Sequence, residues 1–180
     1  LNTHPNANYY LRIIEQCLLN TAQRIKENKP VVSAFLYACL LWPALDALYH
    51  SLYEQDHNAQ TSMQQAARKT LALQIPHTSM PKYVSVMIRE IWELQLQLLK
   101  PRIRNPLKII SQPRFRAAYD FLLLRVQAGE NLNKRAQWWT QEQAKLSPQD
   151  WADIKSRHRQ ENTEAKHKRR PRFNKSRKPQ

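Results

Sequence analysis

The sequence predicts an all-α protein, an irregular helical bundle followed by a disordered basic tail, and three observations predict it. Glycine occurs once, at Gly129, against eleven prolines, where an average chain of this length holds roughly a dozen glycines. Helices joined at Pro-marked corners fit that composition better than glycine-rich turns do. Apolar residues recur at three- and four-residue spacing as far as Ile154, which is the helical period. From Lys155 to Gln180 eleven Lys and Arg stand against Glu161 and Glu164, a net charge of +9, with Phe173 the one large apolar residue. Such a stretch cannot bury enough surface to order itself when free.

The elements follow in order. From Asn8 to about Asn28, Leu11, Ile14, Leu18 and Ile25 fall on one stripe, so an amphipathic helix is expected there, ended near Pro30. Ser33 is placed to cap an apolar helix from Ala34 to about Glu54, containing Phe35, Leu36, Leu40, Leu41, Trp42, Leu45 and Leu48; Pro43 should kink or divide it after Trp42. Asp56-His57-Asn58 reads as a loop before a helix from about Thr61 to Gln74, with a corner at Ile75-Pro76. Ser79 and Pro81 then open a long helix whose Val84, Ile88, Ile91, Leu94 and Leu98 should face inward.

Pro101 and Pro106 bracket a basic connector, followed by a short helical turn over Leu107-Lys108-Ile109-Ile110. A helix from Arg114 to about Gln127 should stop at Gly129, and another runs from Leu132 to Gln143. Ser147-Pro148-Gln149-Asp150 has the form of a capping box with Pro at the first helical position. The helix it opens is expected to fade after Ile154. Three regions result: a helix over 1–32 continuing from an absent upstream part, a helical domain over 33–146, and a short helix with the basic tail over 147–180.

Hydrophobic residues make up 42% of the 180, with five Trp, seven Tyr and four Phe, enough for one real core. Cys17 and Cys39 lie in apolar helical surroundings and read as reduced core thiols, since no CxxC or Cys/His spacing points to zinc. No apolar run approaches the roughly 18 residues of a membrane span, and Leu1-Asn2-Thr3-His4-Pro5 has no signal-peptide form. The expectation is a cytoplasmic protein, without membrane attachment, whose start without Met suggests the C-terminal part of something longer. A total of 29 basic against 14 acidic side chains gives +15 and a pI near 10.2. That balance points to a polyanionic partner, nucleic acid above all.

Candidate chemistry is sparse. With one glycine, P-loops and dinucleotide fingerprints are excluded. No Asp-x-Asp or Asp-x-Glu pair suits divalent ions; Glu90 and Glu93, beside Arg89, read as a solvated helix face. The histidines lack zinc spacing and the serines lack a nucleophile elbow, so no catalytic residue and no metal site is assigned. Nucleic-acid binding has better candidates. In Pro113-Arg114-Phe115-Arg116-Ala117-Ala118-Tyr119-Asp120, cations at a helix start alternate with an aromatic, and guanidinium forks match phosphate oxygens. Either Arg114 and Arg116 face a strand, or Phe115 is core and they are merely solvated. Trp138-Trp139 follows Lys134-Arg135; neighbours on a helix point about 100° apart, so at most one should be fully buried, leaving the other for base stacking or for packing. The run Lys166-His167-Lys168-Arg169-Arg170-Pro171-Arg172 attracts phosphates without sequence selectivity. The candidate contacts are Lys108, Arg114, Arg116, Arg125, Lys134, Arg135, Trp138, Trp139, Lys168, Arg169, Arg170 and Arg172.

Three segments, Ser33-Ala34-Phe35-Leu36-Tyr37-Ala38-Cys39-Leu40-Leu41-Trp42-Pro43, then Ile88-Arg89-Glu90-Ile91-Trp92-Glu93-Leu94-Gln95-Leu96-Gln97, then Pro113 through Arg125, resemble in order the C-terminal part of the bacterial poly(A) polymerase I family, over roughly residues 30–145. The Trp pair and the arginine-rich end fit the same resemblance. It implies part of an enzyme, a polynucleotide adenylyltransferase of the class II nucleotidyltransferase superfamily, that adds AMP from ATP to RNA 3′ ends in RNA processing and decay. It also implies ATP and Mg²⁺ in a catalytic head with a Gly-Ser element and an Asp-x-Asp pair. Neither motif stands in this sequence, so no cofactor is expected in this chain and no activity from it alone. RNA 3′ ends are the implied partner, with RNA-decay proteins as further candidates. The alternative is a stand-alone basic module that binds RNA or an acidic protein in RNA turnover.

Overall fold

The computed structural model describes residues 7–169, and among them every regular element is a helix. The chain divides into two compact units, Leu1–Glu142 and Gln143–Gln180.

In the first unit, α1 (Ala7–Lys26) packs against α2 (Ser33–Leu40) and α7 (Phe115–Gln127), while α3 (Trp42–Asp56) pairs with α4 (Ala59–Thr78). At the centre lies α5 (Lys82–Leu98), in contact with α2, α4 and α7. Its Val84, Ile88, Ile91, Leu94 and Leu98 are buried as the period predicts, together with Trp92 and Gln95. Each such aliphatic side chain taken out of water contributes roughly 1.5–3 kcal/mol, which is why this helix anchors the unit. The short α6 (Pro106–Ile110) is capped by Asn105 Oδ1, which accepts from the Lys108 N–H at 3.1 Å. α8 (Asn133–Ala144) follows α7.

Several boundaries depart from expectation. In α1 the buried face is Tyr9, Ile13 and Cys17, whereas Leu11, Leu18 and Ile25 are 62, 49 and 63% exposed. The helix is apolar on two sides, and the period alone does not say which side meets α2 and α7. Pro43 does divide the second apolar segment, but at Leu41. Pro43 then occupies the first turn of α3, where its missing N–H costs nothing. Ser33 is the first helical residue of α2, and Val32, in extended conformation, precedes it. No corner forms at Ile75-Pro76: α4 runs through Pro76 and ends at Ser79, which is left-handed with φ 46°. A proline in the last turn forfeits one backbone bond only, so the helix outlasts it. Ser79 thereby closes α4 instead of opening α5.

With glycine nearly absent, left-handed caps fall to other residues. Asn28 ends α1 with φ 55°, and Lys29 N–H donates to Arg24 O at 2.8 Å. Gly129 ends α7 with φ 102°, and Glu130 N–H donates to Arg125 O at 3.1 Å, a Schellman closure. Long side chains satisfy other carbonyls at helix ends, which have no partner within their own helix. Trp92 Nε1 donates to Ala38 O at 3.1 Å, Trp139 Nε1 to Leu98 O at 3.0 Å and Arg12 Nε to Ala128 O at 2.7 Å. Cys17 and Cys39 are buried free thiols.

In the second unit, α9 (Pro148–Arg169) opens on the expected capping box: Ser147 N–H donates to Asp150 Oδ2 at 2.8 Å, and Asp150 N–H to Ser147 Oγ at 3.2 Å. Its backbone stays helical to Arg169, well past Ile154. Beyond Ile154 the helix has little apolar surface to bury, but it is rich in Arg, Lys, Gln, Glu and Ala, which favour helix intrinsically, and no Pro intervenes before Pro171.

Candidate nucleic-acid interface

A cleft of about 600 Å³ opens in the first unit. One wall is the C-terminal half of α1, with Asn20, Thr21, Gln23 and Arg24; Pro30, Val31 and Val32 follow from the connector. Phe35 and Leu36 of α2, with Met87 and Ile91 of α5, add apolar surface, and Pro113, Arg114, Arg116, Ala117, Asp120, Leu123 and Gln127 come from α7 and its approach.

Local chemistry places each cation. Asn28 turns the chain back at the end of α1, and Arg24 then donates to Pro30 O from Nε at 3.2 Å and Nη2 at 2.9 Å. That contact fixes the connector carrying Val31 and Val32. Phe115 is buried, edge-on to Trp139 with ring centroids 5.4 Å apart, so the alternation in Arg114-Phe115-Arg116 turns both flanking cations outward. Arg114 Nε meets Glu90 Oε2 at 3.1 Å, and Arg116 Nε meets Asp120 Oδ1 at 3.2 Å. Burial raises the Asp120 carboxyl above the ordinary range, against the opposing charges of Arg116 and Arg24. Three guanidinium groups and one carboxylate line the cleft, and Glu90 pairs with Arg114 from outside the lining, so the cations outnumber the acids by one.

A second basic patch lies on α8. The Arg135 guanidinium donates from Nη2 to Lys100 O at 2.6 Å and sits over the Trp138 ring, 5.5 Å from its centroid. Trp138 is half-buried and Lys134 exposed. Lys108 is exposed on α6.

Two candidates need correction. Arg125 is buried: its Nη2 and Nε meet Glu130 Oε1 and Oε2 at 2.5 and 2.8 Å, its Nη1 donates to Gln95 Oε1 at 3.2 Å, and it lies 4.9 Å from the Trp42 ring centroid. Tyr9 Oη also donates to Glu130 Oε2 at 2.5 Å. A side chain so enclosed offers nothing to a strand. Trp139 is the wholly buried member of the Trp pair, its indole spent on Leu98 O. Of the acids, Glu90 is exposed and holds Arg114, but Glu93 is half-buried with its carboxyl raised by burial, so only Glu90 fits a solvated face. Lys168 and Arg169 end α9; Arg170 and Arg172 lie outside the described residues. Arg24 is missed by the sequence reading, because it joins the cleft only through the packing of α1 on α7, which leaves no local signal.

Among the described residues, no group of three or more His, Cys, Asp or Glu could hold a metal ion, and no helix is long and apolar enough to cross a membrane.

Comparison with known proteins gives the family. The chain is 34% identical over 141 residues to poly(A) polymerase I of Salmonella typhimurium, 33% over 140 residues to that of Escherichia coli O157:H7, and 30% over 140 residues to that of Haemophilus influenzae. These alignments cover 77, 76 and 76% of this chain but only 30, 30 and 31% of the relatives. The chain therefore corresponds to under a third of their length. Residues 55–176 match the family described as polymerase A arginine-rich C-terminus, and the chain belongs to that family.

Proposed function

We propose that this chain is the RNA-gripping C-terminal part of a poly(A) polymerase, which holds RNA 3′ ends while a catalytic head elsewhere in the polypeptide adds AMP from ATP. The observation that carries the reading is the convergence of Arg24, Arg114 and Arg116 on one cleft, in a chain of net charge +15 from an arginine-rich family. Guanidinium groups bind phosphate bidentately and cost little to pre-organise. The cleft positions a strand, whereas the basic run from Lys155 adds affinity without register. A tethered 3′ end has a raised effective concentration at the head, so the gain is in substrate affinity and in the number of additions per encounter.

The residues described here do not fit the ATP and Mg²⁺ chemistry of the head, for want of a carboxylate cluster. Adenylyl transfer is accordingly assigned to none of them. The test is fluorescence anisotropy of a labelled single-stranded oligoriboadenylate titrated with the intact chain. Binding at low salt should weaken linearly on log–log axes, with a slope of about −0.7 per phosphate contacted. No affinity at low salt sinks the reading.

A further inference from the structure

The cleft has an apolar half for which a phosphate grip has no use. Phosphate contacts are made at hydrated surfaces and need no apolar concavity. Yet Val31 and Val32 are exposed at this cleft, Val32 to 49%, and Phe35 and Leu36 line it only partly covered. Its volume of about 600 Å³ is within the range of small-molecule sites, roughly 300–1,000 Å³.

Polar groups around this surface are also available. Arg116 uses only Nε on Asp120, which leaves both of its terminal nitrogens for an anion. The Gln127 carboxamide makes no hydrogen bond among the described residues, and it has the donor–acceptor pair that matches a base edge. An apolar surface beside cations and a free carboxamide is what one nucleotide of a single strand needs: a ring to cover, a phosphate to hold, an edge to meet. A base-paired strand cannot supply it, because its rings are already stacked and paired.

We propose that this cleft receives one unpaired nucleobase of an RNA strand, its ring against Val32, Phe35 and Leu36 and its flanking phosphate on Arg116 and Arg24. This rests on the reading of the chain as an RNA grip, and it predicts that the grip senses bases as well as phosphates.

The experiment compares two labelled strands of equal length on the intact chain, one an oligoriboadenylate and one carrying abasic sugars throughout, at the same salt. Base stacking of ordinary strength makes the abasic strand weaker by about tenfold. Ala117→Phe fills the cleft while keeping all three of its arginines, and should bring the base-bearing strand down toward the affinity of the abasic one while changing the abasic strand far less. Val32→Ser guards against misfolding, since Ser is favoured at the residue preceding a helix; it should cost the base-bearing strand alone about threefold. Equal affinity of the native chain for both strands overturns the base site and leaves the RNA grip standing. A weaker abasic strand that neither variant affects places base contacts elsewhere and also overturns it. If neither strand binds, the RNA grip itself has failed.

Discussion

Arg116 and Arg125 lie nine residues apart on the same helix, yet the side chain of the first is 75% exposed and that of the second 8%. Arg116 meets one carboxylate through Nε and lies 5.9 Å from the Tyr119 ring centroid, with its terminal nitrogens making no hydrogen bond among the described residues. Arg125 is spent entirely on its own protein: Glu130 takes two of its nitrogens, Gln95 a third and the Trp42 ring its face. Through Glu130 it reaches Tyr9 of α1. One arginine holds helices together and the other is available to hold a partner. The number of arginines in this chain is therefore no count of cations available at its surface.

The largest expected effect breaks the interior side of that contrast. Arg125→Met leaves the part-buried Glu130 without its cation and removes the fork that ties it to Gln95 and Trp42, at a cost of about 3 kcal/mol, the low end for breaking a buried pair. Urea unfolding should show that loss, and Arg125→Lys should recover only part of it, because an ammonium cannot reproduce a two-nitrogen fork.

The same pair sets a pH dependence. Burial acts to raise the Glu130 carboxyl, but the hydrogen bond and charge of Arg125 outweigh it and hold the carboxyl below the ordinary range. Its contribution is thus fully present above the unfolded carboxylate value and is lost as pH falls through the lower folded value. Asp46 behaves oppositely: burial raises its carboxyl despite His50 and the Tyr10 hydroxyl, so ionising it costs stability as pH rises from the unfolded value toward the folded one. Thermal unfolding of Glu130→Gln against the native chain should show a gap of about 2–4 kcal/mol at pH 7 that narrows steadily as pH falls below the ordinary carboxylate value. A gap that stays constant from pH 7 into the acid range would show that the charge of Glu130 is not what matters.

How far these roles can be read from sequence depends on where the partners lie. The inward face of α5 was legible because that helix is apolar on one side, and the capping box at Ser147 because both halves sit within four residues. In α1 two apolar faces compete, and only the neighbours decide between them. Arg125 looks like any helix-borne cation until Gln95, Trp42 and Tyr9, contributed by three other helices, close around it. The Trp pair was half legible: a helix turns one ring inward and its neighbour aside, but which ring turns inward depends on Phe115 and on the carbonyl of Leu98. In the cleft, Arg114 and Arg116 stood out through a local alternation, whereas Arg24 and Val32 reach it only by tertiary packing.

On the exposed side, converting both Arg114 and Arg116 to Gln should weaken RNA binding about tenfold at low salt. Exposed ion pairs contribute little to folding, so urea unfolding should hardly move. This is the mirror image of Arg125→Met. The smallest effect belongs to the cap that ends α7. Gly129→Ala forces a side chain into φ 102° and sets a Cβ 3.4 Å from Arg12 Nη2, with an expected cost of about 1 kcal/mol in thermal unfolding and no change in RNA affinity.

The most direct measurement is the salt dependence of affinity for a single RNA strand, taken on the intact chain with and without the Arg114→Gln and Arg116→Gln pair. If those two arginines each neutralise a phosphate, the log–log slope becomes shallower by about 1.4. A double variant with the native slope would contradict the account, because the cleft cations would then not be what holds the strand.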